Sequence, residues 1–109
     1  MRKITREAVR AFARFETYRN GNTAVSRRET NSGKQLAIMY LHGNEIASYD
    51  GRTINLTMAG WPTNTTRERL NGICNHFGLP GFSQKNFTQY YGEQAIESNQ
   101  SIIDMPRRN

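Results

Sequence analysis

Side chains able to bind a soft metal, or to serve as nucleophile and base, are few in this chain: two histidines, His42 and His76, and one cysteine, Cys74. The closest spacing among them is Cys74-x-His76, and a zinc site needs three or four ligands, so no metal set forms. Cys74 falls on an apolar helical stripe, where a small buried side chain is expected rather than a nucleophile. The chain carries no Walker loop, no Gly-x-Gly-x-x-Gly after a strand, and no close acidic pair of the kind a metal-dependent nuclease uses. Neither enzymatic activity nor a cofactor is therefore expected. A catalytic reading would require His42 or His76 to converge with carboxylates from elsewhere in a deep polar pocket.

Arginine is what the chain has in quantity, at 12 of its 15 basic residues against nine Asp and Glu, for a net charge of +6. The planar guanidinium forks onto phosphate and stacks on bases, so this composition points to nucleic acid, with acidic proteins or ribosomes as other partners. Arg6, Arg10 and Arg14 recur every fourth residue, with Lys3 just before them. Like charges at that spacing repel by roughly a few tenths of a kcal/mol per pair. They form either a solvated face, partly relieved by Glu7, or an anion-binding stripe. Arg67 and Arg69 lie in the first turn of a second helix, where the macrodipole favours acidic groups instead. Beside Thr63, Thr65 and Thr66 they fit a phosphate site, the alternative being a salt bridge to Glu68 or Glu45. Between Phe82 and Tyr91, aromatic side chains (Phe82, Phe87, Tyr90, Tyr91) alternate with Gln84, Lys85, Asn86 and Gln89. That is how single-strand binders stack bases, and equally how an edge strand covers a core.

These groups must be positioned by one small domain. At 109 residues, with 36% hydrophobic side chains and a longest apolar run at 37–41, the core is modest and neither a membrane span nor a signal-peptide core is present. A single cysteine fits a reducing cytoplasm, which makes the Asn-x-Thr triplets at Asn55, Asn64 and Asn86 chance matches. A soluble protein without membrane contact is expected.

The pattern predicts an α+β fold. Residues 4–21 read as an amphipathic helix with Thr5 as N-cap, Val9, Phe12 and Phe15 on its apolar stripe, and Asn20-Gly21 as its stop. Four strands follow at 23–28, 35–41, 45–49 and 52–58, separated by Asn-Ser-Gly-Lys, His-Gly-Asn and Asp-Gly turns, forming an antiparallel meander. Strand 35–41 is apolar on both faces and predicted to be central. A second helix packed on the sheet begins near Thr65, whose spacing to Glu68 is that of a capping box, with Asn64 and Thr66 as alternative caps. It carries Leu70, Ile73, Cys74 and Phe77 inward and stops at Gly78. Trp61-Pro62 gives it an extended entry. A fifth strand near 82–91 is expected to join the sheet. The domain is predicted to span 1–97, with 98–109 a loosely docked or flexible tail.

"YLHGNEIAS" followed by "AGWPTNTTRERLNGI" resembles a set of small tailed-bacteriophage proteins in which a Leu-His-Gly-Asn strand end precedes a similar threonine-rich helix start. The pattern covers about a third of the chain and leaves out the basic first helix and the tail. The resemblance implies phage origin and the host-cell cytoplasm, not a mechanism. In size and charge the chain is also similar to small phage single-stranded-DNA-binding proteins of the Drc kind, which serve transcription and replication.

The leading expectation is non-enzymatic binding of nucleic acid, single-stranded DNA above a base-specific duplex site. Arg6, Arg10, Arg14, Arg67, Arg69 and Lys85 would neutralise phosphates, and Tyr90, Tyr91 and Trp61 would stack. The other expectation is an adaptor or inhibitor that docks on a host protein such as RNA polymerase or a defence component. Self-association through sheet edges is compatible with either role.

Overall fold

The computed structural model describes residues 1–107. Helix α1 spans Lys3–Arg14 and is followed by strands β1 (Tyr18–Asn20), β2 (Thr23–Glu29), β3 (Gln35–Leu41), β4 (Asn44–Tyr49) and β5 (Ile54–Leu56). Helix α2 covers Asn64–Phe77, and β6 (Phe82–Lys85), β7 (Thr88–Tyr91), β8 (Gln94–Ile96) and β9 (Ile102–Asp104) complete the chain. This is the expected α+β class, with antiparallel pairing throughout.

The meander is present with turns where they were predicted, but the Asp-Gly turn is a four-residue loop, residues 50–53, and β5 covers Ile54–Leu56 instead of 52–58. Leu41 pairs with Asn44, so His42 (φ 52°) and Gly43 (φ 80°) alone turn the chain between β3 and β4. Two left-handed residues in a two-residue loop match the twist of the flanking strands. At the next turn the Asp50 carboxylate accepts from the N–H groups of Arg52 and Thr53, both at 2.8 Å. Those donors are thereby withdrawn from the ladder, and β5 starts at Ile54 rather than at residue 52.

Further expectations are corrected. The first helix stops at Arg14, because Phe15 turns left-handed (φ 57°) and stacks on Tyr49 at 5.2 Å. Residues 18–20 then form an edge strand, and Gly21 sits in its hairpin to β2 instead of closing a helix. The cap of α2 is Thr63, whose hydroxyl accepts from Thr66 N–H at 3.1 Å, so Thr65 and Glu68 form no capping box; Thr5, likewise, caps nothing and is buried inside α1. The expected fifth strand is two, β6 and β7, folded at Asn86-Phe87 and joined by β8 into a separate three-stranded sheet. Finally, the segment expected to be a loose tail supplies β9, the edge of the six-stranded sheet ordered β1-β2-β3-β4-β5-β9. The last two residues of that tail, 108 and 109, lie outside the described residues.

Both helices lie on one face of the large sheet. Val25, Met39, Ala47 and Leu56 occupy one cross-strand row, and with Ala8, Phe12, Leu70, Ile73 and Phe77 they form the core. β3 is central as predicted, with Ala37, Met39 and Leu41 turned into that core. The helices approach closely at Gly72, where a Cβ would sit 2.5 Å from Thr5 Cγ2 and 3.1 Å from Val9 Cγ2. The absence of a side chain there brings the polar faces of α1 and α2 together.

Candidate nucleic-acid interface

The α1 stripe is what the close crossing positions. Arg6, Arg10 and Arg14 are all exposed and line a groove of about 540 Å³ between the helices, with Val9, Ala13 and Gly72 below and Asn75 and His76 opposite. No carboxylate among the described residues lines this groove. Among the described residues the ion pairs are Arg69–Glu68 and Arg107–Asp104, so the stripe stays unneutralised. Glu7, expected to relieve it, accepts from the Tyr18 hydroxyl at 3.1 Å. Arg6 donates to the Met1 carbonyl at 2.9 Å, which fixes its direction without consuming its charge.

Arg69 does not belong to this surface. It is fully buried and donates to the hydroxyls of Thr23 and Thr5, both at 2.9 Å, and to Glu68. The Thr5 hydroxyl in turn donates to Glu68. Burial pushes the Glu68 carboxyl up, but the Thr5 hydroxyl, the Arg2 N–H and the Arg69 guanidinium outweigh it and hold the acid below its ordinary value. Arg69 is thus a tie between α1, α2 and β2, and its expected phosphate contact is withdrawn.

Arg67 is half-exposed and largely engaged. Its guanidinium donates to the Pro62 carbonyl (3.1 Å), Gln84 (3.2 Å), Gln89 (2.8 Å) and Asn64 (2.6 Å), bracing the start of α2 against the small sheet. That satisfaction explains an arginine in a first turn where the macrodipole opposes it.

Strand alternation separates the two tyrosines expected to stack together. Tyr91 turns inward, packs on Phe82 at 5.1 Å and donates to Asp104 at 2.7 Å, joining the small sheet to β9. Burial and the neighbouring Asp104 carboxylate push its phenol well above the ordinary range. Its ring is packed on Phe82 and its hydroxyl is engaged, although it is half-exposed like Tyr90. Tyr90 shares the outward face with Ser83, Ala95 and Lys85 and stays half-exposed. Phe87, one of the aromatic side chains of the 82–91 run, is 93% exposed at the hairpin tip. Its signal was the preceding Asn86, a turn former with a bulky residue where glycine is usual.

A second cavity, about 480 Å³, opens at the start of α2 and is lined by Leu41, Ile46 and Met58 below Trp61, with His42, Asn44, Thr63 and Thr65 at its rim. Trp61 is 60% exposed at its mouth. The Leu-His-Gly-Asn turn and the Ala-Gly-Trp-Pro-Thr loop, separated in sequence, therefore meet here. Among the described residues no carboxylate lines the cavities beside His42 or His76. Among the described residues no cluster of three His, Cys, Asp or Glu could hold a metal ion. Cys74 is buried in the core, and burial pushes its thiol up to about 12, far from the reactive range.

The fold and its charge define a small basic α+β protein whose paired helices carry an unneutralised arginine groove on one side of an antiparallel sheet. The family model of the Kyanoviridae Gp96 protein matches residues 1–105, and the chain belongs to that bacteriophage family. The match takes in α1 and β9 as well as the central stretches. No curated protein matches the chain. No solved structure matches it either. No described helix is long and apolar enough to cross a membrane.

Proposed function

We propose that this phage protein binds nucleic acid without catalysis, preferring single-stranded DNA, and acts in phage transcription or replication in the host cytoplasm. The observation that carries the reading is the α1/α2 groove, in which Arg6, Arg10 and Arg14 face solvent with no acidic partner among the described residues. Three guanidinium groups along one helix repel one another, and phosphates are the ligand class that converts that cost into binding. Lys85 and Tyr90 on the small sheet, with Trp61 beside α2, are the remaining contacts. A strand bound there releases counterions, so log Kd changes with log salt by about 0.7 per phosphate contact.

Fluorescence anisotropy with labelled single-stranded and duplex DNA, at low and near-physiological salt, tests this. Replacing Arg6, Arg10 and Arg14 by glutamate is expected to abolish binding at near-physiological salt. Single replacements by glutamine are expected to lower the salt slope by about 0.7 each. An unchanged slope in the glutamine variants would remove α1 from the interface, and absence of wild-type binding at low salt would sink the reading.

The apolar floor beneath exposed Trp61 favours a second reading, in which the protein docks on a host or phage protein such as RNA polymerase or a defence component. That reading predicts a partner that survives nuclease treatment and is lost on Trp61→Ala. Self-association would use the β9 edge, where Ile103 and Met105 are exposed.

A further inference from the structure

The hairpin between β6 and β7 turns on two residues, Asn86 and Phe87, because Lys85 pairs directly with Thr88. Both are left-handed, at φ 51° and 66°. Asparagine tolerates that region, and the second position of such a turn is the one glycine fills most readily. A phenylalanine there is strained by its Cβ, and strain of this kind persists where the surroundings or a function require it. Packing gives no reason for it, since Phe87 is 93% exposed and buries almost nothing.

We propose that Phe87 is a base-stacking group for single-stranded nucleic acid, an inference that rests on the nucleic-acid reading above. The immediate neighbours decide between a base and a protein as the ring's partner. Lys85, Asn86 and Thr88 are polar and exposed. A protein hot spot is ringed by groups that exclude water, whereas Phe87 stands alone. Base stacking needs only an open ring face with a cation and polar groups near the backbone, and Lys85 supplies the cation. The left-handed turn holds the ring out from the sheet, free on both faces. Tyr90, on the outward face behind the tip, is placed to meet a neighbouring base.

Phe87→Gly separates function from fold, because it relieves the turn and removes the ring together. The variant is expected to raise Tm by a few degrees and to weaken binding of labelled oligothymidylate by about 5- to 150-fold. Its affinity for a duplex of equal length is expected to be unchanged, since paired bases offer no free face. Phe87→Trp should restore single-strand binding. Wild-type affinity for oligothymidylate in Phe87→Gly overturns the proposal, as does an equal loss on single strand and duplex. Failure of the wild-type protein to bind any oligonucleotide overturns the parent reading instead, and leaves the tip as a protein-docking element.

Discussion

Arg67 and Arg69 stand two residues apart and illustrate how little a residue type says about its employment. Arg69 is sealed inside, and its counter-charge Glu68 is reached only from the rim of the same network. A buried guanidinium that loses its partner is strongly destabilising, so the state of Glu68 should be read directly in stability. Its folded value lies below the ordinary 4.5. The stabilisation is therefore fully present above about pH 4.5 and is lost as pH falls through the lower folded value. Glu68→Gln is expected to lower Tm at neutral pH and to converge with the wild type as both are acidified. Thermal melts of the pair from neutral to strongly acidic pH check this, and a pH-independent gap between them would refute it. Asp50, also held low by N–H donors, titrates in both proteins and cancels from the comparison. The salt bridge to Glu68 was legible as the alternative to a phosphate contact, but the burial of Arg69 was not, because the hydroxyls that satisfy it come from 64 and 46 residues away.

Among the elements, the meander was readable because each of its turns announces itself locally, through His42-Gly43 or Asp50-Gly51, between runs of matching alternation. The end of α1 was not, since residues 15–20 continue a helical composition and the stop depends on Phe15 reaching Tyr49 across the fold. The β6–β7 hairpin was hidden for the opposite reason, with phenylalanine standing where glycine would have marked the turn. The exposed row of arginines on α1 was legible from its spacing of four, while the burial of Arg69 and the contacts of Tyr91 with Phe82 and Asp104 are set by tertiary structure. The helix crossing carries its own prediction. Gly72→Ala gains up to about 1 kcal/mol of helix propensity. It also drives a methyl into Thr5 Cγ2, which cannot yield because the Thr5 hydroxyl is held by Glu68 and Arg69. A net loss of about 1–3 kcal/mol is expected in urea unfolding. Adding Thr5→Ser, which removes the clashing methyl and keeps the hydroxyl, should recover most of it. A single variant as stable as wild type would mean the helices do not cross so closely.

For the whole molecule, the question is whether residues 98–107 belong to the cooperative unit. They supply β9, whose Ile102 packs on the core and whose Asp104 accepts from Tyr91 in the small sheet. Arg107 N–H reaches the Phe77 carbonyl at 2.8 Å, closing the end of α2, and the Ser98 carbonyl accepts from Gly60 at 3.0 Å. The segment thus touches both sheets and the second helix, and its loss affects three elements together. A chain ending at residue 97 would bare the β5 edge and leave the Tyr91 hydroxyl without its acceptor. The hydrogen bond to a charged acceptor alone is worth about 2 kcal/mol, which corresponds to a Tm lower by roughly 8–16 °C for a domain of this size. The same truncation should increase self-association, because an unpaired strand of Ile54 and Leu56 is a template for another chain. Melting curves and sedimentation of the truncated protein read both effects. An unchanged Tm with a monomeric truncation product would show that the sheet is complete without β9, and would restore a domain boundary at residue 97.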